Sequence, residues 1–105
     1  MKQKGVMILM FDAPDSEEFL EWVHGPHMQD IGRIPGVVRV RRYSIVDGPP
    51  DRRGYVAVIE TEDLDASIAY RNSEQGRRPQ QDSIDRGVTN RYGLACREIF
   101  SIKFS

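Results

Sequence analysis

Apolar positions fall in four short blocks, with two amphipathic stretches between them. Val6-Met7-Ile8-Leu9-Met10-Phe11 is apolar throughout, which suits a strand covered on both sides. Asp12-Ala13-Pro14-Asp15 breaks the run, and Asp15 then reads as an N-cap with Glu18 three residues on, the spacing of a capping box. The helix it opens runs toward Ile34 and is stopped by Pro35-Gly36. Val37 to Val46 predicts a second strand, with Val38, Val40 and Val46 on one face and Val37, Tyr43 and Ile45 on the other. Its arginines, Arg39, Arg41 and Arg42, make it half polar, as expected near a sheet edge. Asp47-Gly48-Pro49-Pro50-Asp51 reads as a turn, and Tyr55 to Ile59 as a third strand, again apolar on both faces. Asp63 or Asp65 caps a short helix carrying Leu64, Ile68 and Ala69. Residues 74–90 are polar and contain Gly76, Pro79 and Gly87, so they read either as a ragged helix or as a mobile flap. The last strand has a clear period of two: Tyr92, Leu94, Cys96, Phe100, Ile102 and Phe104 share a face that only Glu98 interrupts.

The order β-α-β-β-α-β predicts an α+β, ferredoxin-like domain spanning residues 1–105, with a four-stranded antiparallel sheet and the helices on one face. Two helices cover one sheet face only, yet the first and third strands are apolar on both. The bare face needs a cover, and a second copy of the chain supplies it most simply, so a homodimer packed through the sheet face is expected. The alternative cover is the tail, or residues 74–90, folded over that face.

Charge and composition then narrow the partners. Lys and Arg number 15 against 16 Asp and Glu, a net charge of −1, which argues against bulk electrostatic binding to nucleic acid or to an anionic membrane. The apolar run at Val6–Phe11 is far short of the roughly 20 residues needed to cross a bilayer. Lys2 and Lys4 precede an apolar stretch with no small-residue cleavage site, so a cytoplasmic protein is expected. Cys96, the single cysteine, reads as an inward, inert thiol. The chain has no P-loop, no G-x-G-x-x-G, no nucleophile elbow and no zinc spacing.

The first helix carries the sharpest chemical signal. On a helical wheel with Phe19 at zero, the apolar stripe of Leu20, Val23, Ile31 and Ile34 centres near ~65°, and His27 sits inside it at ~80°. His24 falls on the border, and Trp22 on a flank, where packing or a dimer rim is the simplest role for it. An inward histidine is either a structural group hydrogen-bonded to the sheet or a general acid/base lining a cavity. Pro26 inside this helix removes a backbone donor and is expected to kink it. His24 and His27 with Asp12, Asp30, Glu60 or Glu98 could form a two-histidine, one-carboxylate metal set, but His24 points away from the stripe, and neither metal nor cofactor is expected. Tyr43 could donate to a bound carbonyl or pack across strands. Arg39 and Arg41 share its face, and Arg42 lies with Val38 and Val40, where it could bind a substrate carboxylate. Glu98 reads as an inward carboxylate or as a bulge marker, and Asp12 as a turn residue or a histidine orienter.

Glu17-Glu18-Phe19-Leu20-Glu21-Trp22, His27-Met28, Ile34-Pro35-Gly36-Val37-Val38 and Arg41-Arg42-Tyr43 together resemble the EthD-like, dimeric α+β barrel proteins. Their pattern is a strand, a helix of the form E-E-F-x-x-W with a later H, then P-G and an R-Y strand. The likeness covers residues 5–72, and the last strand by pattern only. The spacing to Pro-Gly makes His27 the matching histidine. Many relatives carry a proline two positions after it, where this chain has Gln29, and here Pro26 precedes it. The resemblance implies a ferredoxin-like fold and a homodimer. Such barrels include cofactor-free lyases, isomerases and cyclases, haem-handling or quinol-oxidising monooxygenases, and members of unknown role. Fold does not choose among these.

The reading taken forward is a cofactor-independent lyase, isomerase or cyclase acting on a small carbonyl-containing molecule. In it His27 is the general acid/base, Tyr43 an oxyanion donor, and Trp22, His24, Arg42 and Glu98 line the substrate. A non-catalytic accessory or ligand-binding protein, and a monooxygenase acting on haem or a quinol, stand beside it.

Overall fold

A computed structural model describes residues 2–48 and 54–105. Its elements are β1 (Gly5–Asp12), α1 (Glu17–His24), α2 (Pro26–Gly32), β2 (Val37–Ser44), β3 (Tyr55–Thr61), α3 (Leu64–Arg71), α4 (Glu74–Asp85) and β4 (Thr89–Arg97). The strands form one antiparallel sheet in the order β2-β3-β1-β4, the ferredoxin-like arrangement. The tail of the turn cluster, residues 49–51, lies outside the described residues.

Helix boundaries follow local chemistry. The first cap is Ser16 and not Asp15: the Ser16 Oγ accepts from the Phe19 amide at 3.1 Å. The expected single helix to Ile34 is two, α1 and α2, divided at Gly25. Pro26 has no N–H to continue the ladder, and the Gly25 amide turns back to the Trp22 carbonyl at 3.3 Å. Asp63 caps α3 through the Ala66 amide at 3.2 Å. Residues 74–85 are a helix, capped by Ser73, with Pro79 in its interior. Gly87 follows at φ +106° and turns the chain into β4.

The face of the sheet under the helices holds the core. Phe11 packs with Phe19, Trp22, Val23 and Val88, and Leu9, Met28, Tyr55 and Ala57 close around them. A second anchor ties α3 to the loop before β2. The Ser67 hydroxyl, fully buried, donates to the Pro35 carbonyl at 2.7 Å, so the Thr61 hydroxyl must donate to Ser67 Oγ, 2.6 Å away. The Thr61 oxygen in turn accepts from the Asp63 amide at 3.1 Å. Asp12 takes the turn role: its carboxylate accepts from the Gly54 amide at 2.8 Å and from the Asn90 side chain at 3.2 Å.

The other face carries no helix. The register places Val6, Ile8 and Met10 of β1 beside Val56, Val58 and Glu60 of β3 and beside Tyr92, Leu94 and Cys96 of β4. Cys96 is therefore half-buried on the helix-free face, not turned inward under the helices. A register shift between Val37 and Arg39 removes Val38 from alternation with Val40 and leaves it 57% exposed. β4 ends at Arg97, where its pairing with Gly5 closes and the Glu98 amide makes a last bond to the Lys4 carbonyl at 3.0 Å. The preceding carbonyl, that of Gln3, is taken by the Leu64 amide at 2.8 Å. The expected continuation to Phe104 is instead irregular and open, with Ile99 at 90% and Phe104 at 83% exposure.

A Cβ at Gly76 would meet the Tyr70 carbonyl oxygen at 2.0 Å and the Arg71 Cα at 2.8 Å, whereas one at Gly32 meets nothing within 4 Å. Gly76→Ala should therefore lower stability by about 1–3 kcal/mol in urea unfolding. Gly32→Ala should leave it unchanged or raise it by up to about 1 kcal/mol.

Candidate active site

The break at Gly25 re-aims the chain so that α2 lies over the sheet with His27 on its inner side. A cavity of about 350 Å³ opens there between α2, α4 and the sheet. Met7, Leu9, Ile31, Ile34 and Ile59 make its apolar wall, and His27, Asp30, Tyr70, Arg71 and Arg91 its polar groups. Gly93 leaves room above β1: a Cβ there would sit 3.6 Å from Leu9 Cδ1 and 3.7 Å from the Ile8 carbonyl oxygen, both ordinary contacts.

His27 is half-buried, and its ring lies against Trp22 with centroids 4.6 Å apart. The Arg86 guanidinium lies 4.6 Å from the indole centre, and Arg86 is ion-paired to Asp82 at 3.2 Å. The imidazole Nδ1 is buried with no hydrogen-bond partner among the described residues. That leaves Nε2 as the nitrogen able to reach a ligand. Burial holds the His27 pKa below its ordinary value of 6.5, against the opposing pull of the Asp30 and Asp82 carboxylates, and Arg42 adds to the lowering. At neutral pH the ring is therefore an uncharged base.

Trp22, 7% exposed, belongs to the core and orients His27 rather than offering a face to the cavity. His24 and Arg42 meet each other outside the cavity wall: Arg42 Nη1 donates to His24 Nε2 at 2.7 Å. That bond requires a neutral His24 with its proton on Nδ1. The Arg42 guanidinium also lies 5.8 Å from the ring centres of both Phe11 and Tyr55. Burial lowers its pKa, and the Tyr55 interaction opposes this. Tyr43 projects with Arg39 and Arg41 on the helix-free face, 47% exposed, and so stands across the sheet from His27. Arg39 and Arg41 pair there with Glu60 at 3.7 and 3.3 Å. Glu98 lies beyond β4, exposed, beside a polar groove with Lys4, Glu62 and Arg97. Of the catalytic and substrate-binding residues expected from sequence, the cavity takes His27 alone; Asp30, weighed there as a metal ligand, also lines it.

Two groups in the cavity escaped that reading. Tyr70 belongs to α3, and its hydroxyl bonds to no described residue. Arg91 opens β4, and its Nε is buried without a partner. Alternation sets Arg91 opposite the Tyr92-Leu94-Cys96 face, but the sequence read that face as the inward one; the pairing with β1 puts it on the helix-free side and so turns Arg91 toward the helices. Among the described residues no cluster of three or more His, Cys, Asp or Glu is arranged to hold a metal. No described helix is long and apolar enough to cross a membrane.

The His27 shift has a consequence for stability. Below pH 6.5 the unfolded chain takes up a proton at this position that the folded chain resists, so stability falls with pH there and is independent of this group above it. Urea unfolding between about pH 7 and pH 5 should show this loss in the wild type and a shallower one in His27→Gln.

No family model matches the chain, and no curated protein is similar to it in sequence. Solved structures are similar in fold. An ethyl tert-butyl ether D (EthD) family protein from Bacillus halodurans superposes with a TM-score of 0.59 at 17% identity, covering 87% of this chain and 96% of its own. SnoaB, a cofactor-independent oxygenase from Streptomyces nogalater, gives a TM-score of 0.65 at 16% identity, covering 98% and 96%. A protein described as an antibiotic biosynthesis monooxygenase from Nitrosomonas europaea gives 0.63 at 18%, covering 95% and 94%. At these identities the likeness establishes architecture and not activity. The chain has the ferredoxin-like α+β fold shared by EthD-like and other dimeric α+β barrel proteins.

Proposed function

We propose that this protein is a small-molecule enzyme that works by proton transfer at His27, without a cofactor, on a carbonyl-containing substrate held in the cavity. The observation that carries this is a neutral, half-buried histidine, with no hydrogen-bond partner, on the wall of a 350 Å³ apolar cavity. That volume is within the range of ligand sites, and a purely structural histidine would be hydrogen-bonded. His27 Nε2 takes a proton from the carbon beside the carbonyl. The C–H electron pair moves onto the carbonyl oxygen, and the enolate is held by the Tyr70 hydroxyl, the role first given to Tyr43. Returning the proton to another carbon gives an isomerase, and expelling a leaving group gives a lyase. Trp22 and Arg86 keep the ring in place and limit its protonation by solvent.

A second reading is supported by the fold shared with a cofactor-independent oxygenase. An electron-rich hydroxyarene that loses its proton to His27 becomes a phenolate able to pass electrons directly to dioxygen. Substrate-dependent oxygen consumption separates this reading from isomerase or lyase chemistry.

The test is solvent deuterium exchange into a panel of ketones and β-keto acids, followed by NMR. The wild type should catalyse exchange into at least one of them, and His27→Gln should slow it by about 10²- to 10⁴-fold. Equal rates in the two proteins would remove His27 from the chemistry. Gly93→Leu, which fills the cavity without a backbone clash, should abolish exchange while leaving the fold intact.

The helix-free face supports a homodimer. Val38 is 57% and Tyr92 52% exposed beside Val6, Ile8, Val56, Val58 and Leu94, an apolar surface of the kind that copies of one chain bury. Sedimentation should give twice the chain mass, and Val58→Glu, which places a charge in the middle of that face, should give the monomer.

A further inference from the structure

The chemistry above leaves Arg91 without a task. Its guanidinium lines the cavity from β4, opposite the helices, and its Nε is buried without a hydrogen bond. Among the described residues it makes no ion pair. Arg71 lines the same space. The one carboxylate in the wall, Asp30, is turned to Arg33, whose Nη1 is 3.1 Å from its Oδ1. The cavity therefore holds more positive charge than its own acids neutralise, against a wall of Met7, Leu9, Ile31, Ile34 and Ile59.

A half-buried cation with no counter-ion is unfavourable, and a neutral carbonyl oxygen relieves only part of the deficit. An anion relieves it fully. A carboxylate matches the planar guanidinium best, because two of its oxygens can take two parallel N–H bonds. We propose that Arg91 is the anchor for a carboxylate on the substrate, and that the cavity selects organic monocarboxylates with an apolar body. The apolar wall receives the body and His27 faces the reacting carbon. This rests on reading the cavity as the ligand site. Burial also holds the Arg91 pKa below the ordinary arginine value, the direction expected of a cation short of solvent and of partners.

Calorimetric titration with matched pairs tests it: octanoate against octanamide, and 4-phenylbutyrate against its primary amide. In the wild type each carboxylate should bind at least about tenfold more tightly than its amide, the usual worth of a hydrogen bond to a charged group. Arg91→Gln should bring that ratio to near one, and Arg91→Lys, which keeps the charge but loses the fork, should leave an intermediate ratio. His27→Gln should keep the wild-type ratio, so loss of proton transfer and loss of carboxylate selection are read separately. Circular dichroism checks that each variant is folded. If Arg91→Gln does not fold, the comparison of Arg91→Lys with the wild type decides. Equal affinity for acid and amide in the wild type would overturn the proposal. So would a ratio unchanged in the Arg91 variants, or no binding of either carboxylate to the wild type.

Discussion

The central strand β1 sets the frame on which everything else is placed. It pairs with β3 on one side and β4 on the other, and its side chains alternate between the two faces of the sheet. Met7, Leu9 and Phe11 point to the helices, where they become the floor of the core and of the cavity. Val6, Ile8 and Met10 point the other way, to a face without helices. A one-residue slip of register would exchange the two sets. Both the cavity and the apolar face thus depend on the phase of a single strand.

The second constraint is the interruption at Gly25-Pro26. α2 starts afresh after it and carries His27 and Ile31, which line the cavity over the sheet together with Ile34. The imidazole then lies against Trp22, from the helix before the break, so the two halves are joined through this ring contact. Burial there keeps the ring neutral, the form in which it can accept a proton.

Much of the fold was legible in the chain because it rests on local patterns. Unbroken apolar runs marked β1 and β3, alternation marked β2 and β4, Pro35-Gly36 marked the helix stop, and Asp63 or Asp65 marked a cap that the structure gives to Asp63. The order of those elements then restricts the topology to very few choices. The misplaced boundaries have particular causes. Ser16 displaced Asp15 because its hydroxyl reaches the Phe19 amide. The bulge after Val37 moved Val38 out of phase. β4 stopped at Arg97: the Glu98 amide makes the last bond to the Lys4 carbonyl, and the Gln3 carbonyl is taken by the Leu64 amide.

The site divides along the same line. A wheel of one helix was enough to turn His27 inward, since the angle of a residue on a helix is a property of the sequence alone. Strand phase was enough to separate Arg42 from Tyr43 and Arg91 from Cys96, but which face of β4 meets the helices was decided by its pairing with β1. Which tyrosine shares a cavity with His27 depends on how α3, α4 and β4 lie against α2, contacts between residues more than forty positions apart. The chain by itself determined the elements, their order and the facing of single side chains. The tertiary structure decided which of those side chains meet, because the space between helices and sheet is set by long-range packing that no local period encodes.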